Sequence, residues 1–340
     1  MRDVQLISNP DIPFVIFALI KILVILFGLL GVVSYLILVE RKVCGRMQWR
    51  YGPNRVGPFG LLQPIADVIK LLFKEEFIPG QANRVIYHIA PMLAIVPALI
   101  TFSIIPIGPD FLVADINVGL LLFLAMSSIS VYAVTLAGWS SNSKYALIGG
   151  LRSSAQMISY ELAMGLSTIG VLLLAGSLST LDIVHAQQKV WFILFQPIGF
   201  LIFIITALAE TNRAPFDLPE AEAELVAGFH TEYSSMKWGL FFLGEYAAII
   251  TICSIAVTLF LGGWNGPPLP DIQAYGLHMS LKFIWFFLKL GALIFLFIWL
   301  RWTFPRLRYD QLMNLGWKVL LPLSLANVVV TAIVIYGMAR

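Results

Sequence analysis

Charge is what this 340-residue sequence most lacks: 12% of it is charged, against 59% hydrophobic. A typical soluble domain is about 25% charged, so a chain this long cannot build a water-facing surface from what it has. Its exterior must face lipid. No hydrophilic stretch is long enough to form a second domain, and residues 1–340 read as one integral membrane domain. Cysteine is almost absent. Cys44 and Cys253 lie far apart and form no C-x-x-C, which argues against a disulfide framework, a zinc site or an iron–sulfur cluster held by this chain alone. His88, His185, His230 and His278 show no metal-ligand spacing and no pairing as axial haem ligands. Phosphate-cradling glycine loops and a Ser-His-Asp arrangement are missing too. Without a basic run interleaved with aromatics, nothing here addresses nucleic acid. The N-terminus, Met-Arg-Asp-Val, leads into a full apolar span, so the expectation there is a first span and not a cleavable signal.

What is present is a series of apolar runs, each near the roughly 20 residues a membrane span needs. They fall at 14–39, 87–107, 115–137, 158–178, 191–209, 238–262, 281–300 and 318–338. The fold class expected is therefore all-α: a polytopic membrane helix bundle of about eight transmembrane helices. Eight spans put 16 of the 22 basic residues on one side and 4 on the other, with Lys21 and Lys289 inside spans. By the positive-inside rule the basic side is cytoplasmic and both termini lie outside. In the first basic loop, Leu61, Leu62, Ile65, Ile69, Leu72 and Phe73 recur at helical spacing, with Asp67, Lys70 and Lys74 on another face. Residues 61–76 thus read as an amphipathic helix in the bilayer interface; a soluble helix packed on a partner is the alternative.

Two carboxylates stand out because they fall within spans: Glu161 in the fourth and Glu245 in the sixth. A charged acid at mid-membrane costs about 2.5–3.5 kcal/mol on insertion scales and usually faces a bundle interior or a wet cavity. Proton carriage is one role for such a group, and a structural polar contact between helices is the other. Tyr246 adds a hydroxyl that could extend a hydrogen-bonded chain. The stretch Glu210-Thr-Asn-Arg-Ala-Pro-Phe-Asp217-Leu-Pro-Glu220-Ala-Glu222-Ala-Glu224, followed by Glu232, gathers acids on the otherwise basic side. Closely spaced carboxylates repel unless cations sit nearby, so this loop is expected to seek the positive charges of the 40–55 segment. A merely solvated loop is the alternative, although Pro215 and Pro219 favour an ordered path.

Several motifs in these regions have a familiar form. Glu-Arg-Lys at 40–42, Tyr-Gly-Pro-Asn-Arg-Val-Gly-Pro at 51–58, Gly-Gly-Leu-Arg at 149–152, Ser-Tyr-Glu at 159–161 and the acidic stretch 210–225 resemble the H-subunit family of proton-pumping NADH:quinone oxidoreductase, respiratory complex I. The resemblance runs over essentially the whole chain. It implies a membrane subunit of the bacterial inner membrane that seals a quinone chamber against hydrophilic partner subunits and couples quinone reduction to proton translocation. Quinone would be the substrate. Iron–sulfur clusters and flavin would belong to partner subunits, and antiporter-like membrane subunits would take up the proton work. Carried over motif by motif, it assigns Arg41, Arg50, Asp67 and Phe242 to the quinone chamber and its access path. It assigns Arg152, Glu161, Glu210, Asp217, Glu220, Glu222, Glu224, Glu245 and Tyr246 to a proton relay. Related membrane-bound hydrogenases and quinone-linked dehydrogenases share parts of this pattern. A stand-alone ion-coupled transporter is the rival class, but no pair of broken helices stands in corresponding halves of the chain.

Overall fold

A computed structural model describes residues 12–109, 111–217, 226–266 and 275–338. Its described helices are α1 (Ile12–Met47), α2 (Gln63–Phe73), α3 (Arg84–Phe102), α4 (Gly119–Ser140), α5 (Lys144–Ala175), α6 (Thr180–Ala186), α7 (Pro197–Glu210), α8 (Ser235–Phe260), α9 (Tyr275–Thr303) and α10 (Tyr309–Met338). A π-type turn at Leu315–Leu320 interrupts the last of these. Seven are long and apolar enough to cross a membrane, and α7 is a shorter apolar helix. The architecture is an all-α polytopic bundle, consistent with eight spans.

The amphipathic helix after the first span is α2, shorter than the 61–76 expected. Pro64 sits in its first turn, where a missing N–H costs nothing. Ile65, Ile69 and Leu72 stay exposed along it, an apolar face open to lipid or to a partner.

Several helices outrun their expected ends, and two of these extensions bear on the site. Helix α1 continues to Met47, eight residues past the expected end at 39 (47 minus 39), and so carries Glu40, Arg41 and Cys44 on a rigid rod. Helix α5 begins at Lys144 rather than 158. Hydropathy marks where the bilayer ends, whereas Glu, Arg, Lys and Met go on favouring helix beyond it.

Helix α8 is the centre of the bundle: 72% of its most apolar stretch is buried, against 17% for α10. It touches α1, α2, α3, α7 and α9. The approach to α3 depends on Gly244, where a Cβ would lie 2.9 Å from the carbonyl oxygen of Ala94. Helix α5 packs on α4, α7 and α10, and the loop after the acidic stretch crosses it at Gly149. A Cβ there would meet the Gly228 backbone at 2.8 Å, which explains the first glycine of Gly-Gly-Leu-Arg.

Polar side chains inside the bundle are spent on backbone and on each other. Gln196 Nε2 donates to Thr331 Oγ1 at 2.6 Å, and Asn327 Nδ2 donates to Gln196 Oε1 at 2.7 Å, tying α10 to the start of α7. Lys289 on α9 donates to the carbonyls of Leu261 (2.5 Å), Gly263 (3.0 Å) and Asn265 (2.5 Å), placing its charge at the C-terminal end of α8. Lys21 donates to the carbonyl of Leu112. Both in-span lysines therefore serve as ties to loops.

Candidate functional site

Three helices, α1, α8 and α9, and the loop after α7 converge near the end of α1. Glu40, 6% exposed, is the hub. Arg213, in the loop after α7, donates from Nη1 to Glu40 Oε1 at 3.1 Å and Oε2 at 3.4 Å. The Tyr246 hydroxyl donates to Glu40 Oε2 at 2.7 Å, and Arg301 of α9 pairs with Glu40 Oε1. Arg213 also pairs with Glu245, and its guanidinium lies 4.3 Å from the centre of the Tyr246 ring. Two carboxylates thus meet two guanidiniums, a balanced set, which is the arrangement a nearly water-free site tolerates. Burial opposes the charge on Arg213, but Glu245, Tyr246 and Glu40 outweigh it and hold the guanidinium pKa above its ordinary value.

Above this network opens a cavity of about 890 Å³, lined by Glu40, Arg41, Cys44, Arg50, Phe242, Tyr246, Arg301 and the 51–55 turn, among others. A second cavity, about 200 Å³, lies between α1, α2 and α8; Val33, Ile37, Arg41, Asp67, Trp238 and Phe242 line it. The two share Arg41, Gln63 and Phe242. The second is bounded mainly by apolar side chains and has Arg41 and Asp67 at its polar end. Arg41 pairs with Asp67 at 2.8 Å, and Gln63 Nε2 donates to Asp67 Oδ1 at 2.9 Å. Arg50 Nε donates to Gln48 Oε1 at 2.8 Å, and Nη2 lies 4.0 Å from Cys44 Sγ. Phe242 is held edge-on to Tyr246 and stacks on Trp238.

A third cavity, about 260 Å³, lies beside the network among α3, α4, α5 and α8. It is lined by Phe242, Glu245, Arg301, Asn212, His230 and Glu210 among others. Glu210 ends α7 and is 6% exposed. Ser127 Oγ donates to its Oε1 at 2.7 Å, while Oε2 is buried without a hydrogen-bond partner. The neighbouring hydroxyl, Ser128, donates to Glu161 Oε1. Two adjacent serines of α4 therefore hold Glu210 and Glu161. A hydroxyl both donates and accepts, so this pair can pass a proton as well as bind a carboxylate. Among the described residues neither Glu210 nor Glu161 has an ion-pair partner.

The structure thus brings Arg41, Arg50, Asp67, Phe242, Glu245 and Tyr246 around adjoining cavities that share lining residues, with Glu210 on the third of them and Glu161 beyond it. Arg152 lies on α5 nine residues before Glu161 (161 minus 152), two and a half helical turns away. An unbroken helix puts their backbones on opposite sides. Asp217 pairs with Arg306 at 2.7 Å. Among the described residues, an ion pair joins the two charged segments through the acid Glu40 of the first and Arg213 of the stretch that follows Glu210. Glu220, Glu222 and Glu224 lie outside the described residues. Sequence reasoning missed Glu40, Arg213, Arg301, Ser127 and Ser128 as site residues. Among the described residues no group of three His, Cys, Asp or Glu is placed to hold a metal.

The family model described as NADH dehydrogenase matches residues 20–332. The chain is 56% identical over 322 residues to the first H subunit of the NADH-quinone oxidoreductase of Geobacter metallireducens, covering 92% of this chain and 94% of that one. It is 56% identical over 320 residues to the second H subunit of the Geobacter sulfurreducens enzyme, with the same shares covered. To NADH-quinone oxidoreductase subunit 8 of Rhodothermus marinus it is 54% identical over 335 residues, 95% of this chain and 98% of that one.

Proposed function

The chain belongs to the H-subunit family of NADH-quinone oxidoreductases, and on that premise we propose how its cavities and charges serve as the membrane half of the quinone chamber. It acts as the subunit of complex I that brings no cofactor of its own, with quinone as the substrate it helps to house. The observation that carries the reading is the junction at Phe242. There the mainly apolar cleft between α1, α2 and α8 meets a larger cavity floored by the largely buried Glu40–Arg213–Arg301–Tyr246 network. An isoprenoid tail suits the cleft, and a redox headgroup that gains negative charge on reduction suits the arginine-lined floor.

The floor passes that charge inward. Added negative charge at the headgroup competes with Glu40 and Glu245 for Arg213 and Arg301, and a loosened carboxylate takes up a proton. From Glu245, the third cavity, Glu210, the two serines and Glu161 form a graded path into the bilayer. Asp217, Glu220, Glu222 and Glu224 supply further acids at its mouth, and Arg152, in the early turns of α5, is assigned to the relay as a charge that tunes them rather than as a neighbour of Glu161. Hydrophilic partner subunits, one bearing an iron–sulfur cluster, cover the cavity. Trp49, 99% exposed, and Tyr51 and Phe59 stand out from the rim as anchors for that contact. Antiporter-like membrane subunits receive the proton work. The chain sits in the bacterial inner membrane with both termini outside.

A photoreactive quinone tests this reading. In native membranes the label should fall on residues 33–67 and 238–246, and excess natural quinone should displace it. Labelling confined to outer-side segments such as 111–118 would contradict it.

A further inference from the structure

The cleft between α1, α2 and α8 is only as wide as the hold on α2 allows: Arg41 ties α2 to α1 through Asp67, and the start of α8 holds its C-terminal end. Ser235 Oγ donates to the carbonyl of Leu71 at 3.0 Å, and Ser234 Oγ accepts from the backbone N–H of Phe77 at 3.1 Å. Lys237 reaches the same segment and pairs with Glu76. Just behind it Gly239 lets Leu71 press against α8; a Cβ there would lie 3.0 Å from Leu71 Cδ1. Trp238, Gly239, Leu71 and Phe242 all line the cleft.

Lys237 is gripped from the other side by α3. Its ammonium lies 2.9 Å from His88 Nε2 and 4.9 Å from the centre of the Tyr87 ring. His88 Nδ1 is 2.5 Å from the carbonyl oxygen of Arg84. That contact places the ring proton on Nδ1 and leaves the Nε2 lone pair to accept from Lys237. Tyr87 is fixed in turn: it stacks on Tyr233 with centroids 4.1 Å apart and donates to the carbonyl of Glu232 at 2.8 Å. The lysine side chain is 12% exposed and Glu76 44%. One end of the contact is therefore anchored in packed aromatic structure, and the other holds a chain segment that has no helix of its own.

We propose that Lys237 is a positioning residue for quinone access: anchored on Tyr87 and His88, it clasps Glu76 and so sets the separation of α2 from α8. The proposal rests on the chamber reading above. Glu76 is open to water, so its ion pair contributes little to stability, and its loss shifts the end of α2 without unfolding the bundle. The clasp matters most to a quinone whose tail must lie in the cleft while its headgroup is held. A short-tailed analogue with the same headgroup makes few contacts there.

The test uses Lys237→Met in the assembled enzyme in its membrane, comparing a long-tailed isoprenoid quinone with the short-tailed analogue. The KM for the long-tailed quinone should rise about fivefold while that for the short-tailed one stays near normal. Lys237→Arg should restore the long-tail KM, and Glu76→Gln, at the exposed end of the clasp, should reproduce the rise. Should Lys237→Met fail to assemble, Glu76→Gln decides alone. Equal effects on both quinones, or none on either, overturn the clasp. Phe242→Ala separates the two levels. If it alters quinone KM while the Lys237 and Glu76 variants do not, the chamber stands and the clasp falls. If none of the variants alters quinone KM, both fall.

Discussion

At the scale of single residues, the weight falls on Glu40. Its carboxylate takes Arg213, Arg301 and the Tyr246 hydroxyl at once. Removing one partner of a buried pair strands the other, at about 3–5 kcal/mol. Glu40→Ala should therefore lower the unfolding midpoint of the detergent-solubilised enzyme sharply. Arg301→Met should lower it much less, because Arg301 is partly exposed and Glu40 keeps Arg213. A Glu40→Ala variant that melts with the wild type would mean that the network contributes nothing to the fold. None of this pairing was legible in the chain. Glu40 is 173 residues from Arg213 and 261 from Arg301, and within its own Glu-Arg-Lys motif it reads as one more loop charge. Ser127 and Ser128 were hidden differently. Small hydroxyls in a membrane helix are ordinary packing residues, and only the carboxyls opposite give them a role.

At the scale of elements, hydropathy located the spans well because each must bury a full bilayer thickness of apolar surface. The ends were harder, since helix persists after apolarity stops. The run Glu40-Arg-Lys-Val-Cys-Gly-Arg-Met47 reads as loop by charge and forms the last two turns of α1. That extension is what carries Glu40 and Arg41 rigidly to the cavity. The acidic stretch shows the opposite limit. Its charge density announced that it needs cations, but charge alone does not say which ones. Arg306, after α9, holds Asp217, and the arginine within the stretch goes to Glu40. Helix α8 was legible as a span and as the bearer of Glu245. Its central position was not, because an apolar helix reads the same whether its neighbours are helices or lipid.

At the scale of the whole molecule, two predictions concern direction. The skew of basic residues, 16 against 4, predicts that a reporter fused to the C-terminus will be found outside the cytoplasm. A cytoplasmic C-terminus would overturn the orientation together with the pairing of eight spans. The second concerns the direction of protons, from the cavity floor through Glu245 and Glu210 to Glu161. Glu161→Gln keeps the size of the side chain and can still accept from Ser128, so it removes the titrating group and little else. The decisive measurement is proton pumping by the assembled Glu161→Gln enzyme in sealed vesicles, alongside NADH oxidation by an artificial acceptor that bypasses the chamber. Oxidation with the artificial acceptor should be normal, while quinone-linked turnover and pumping should fall several-fold. Pumping at the normal rate and ratio would show that Glu161 is structural and that the path through the serines carries no protons.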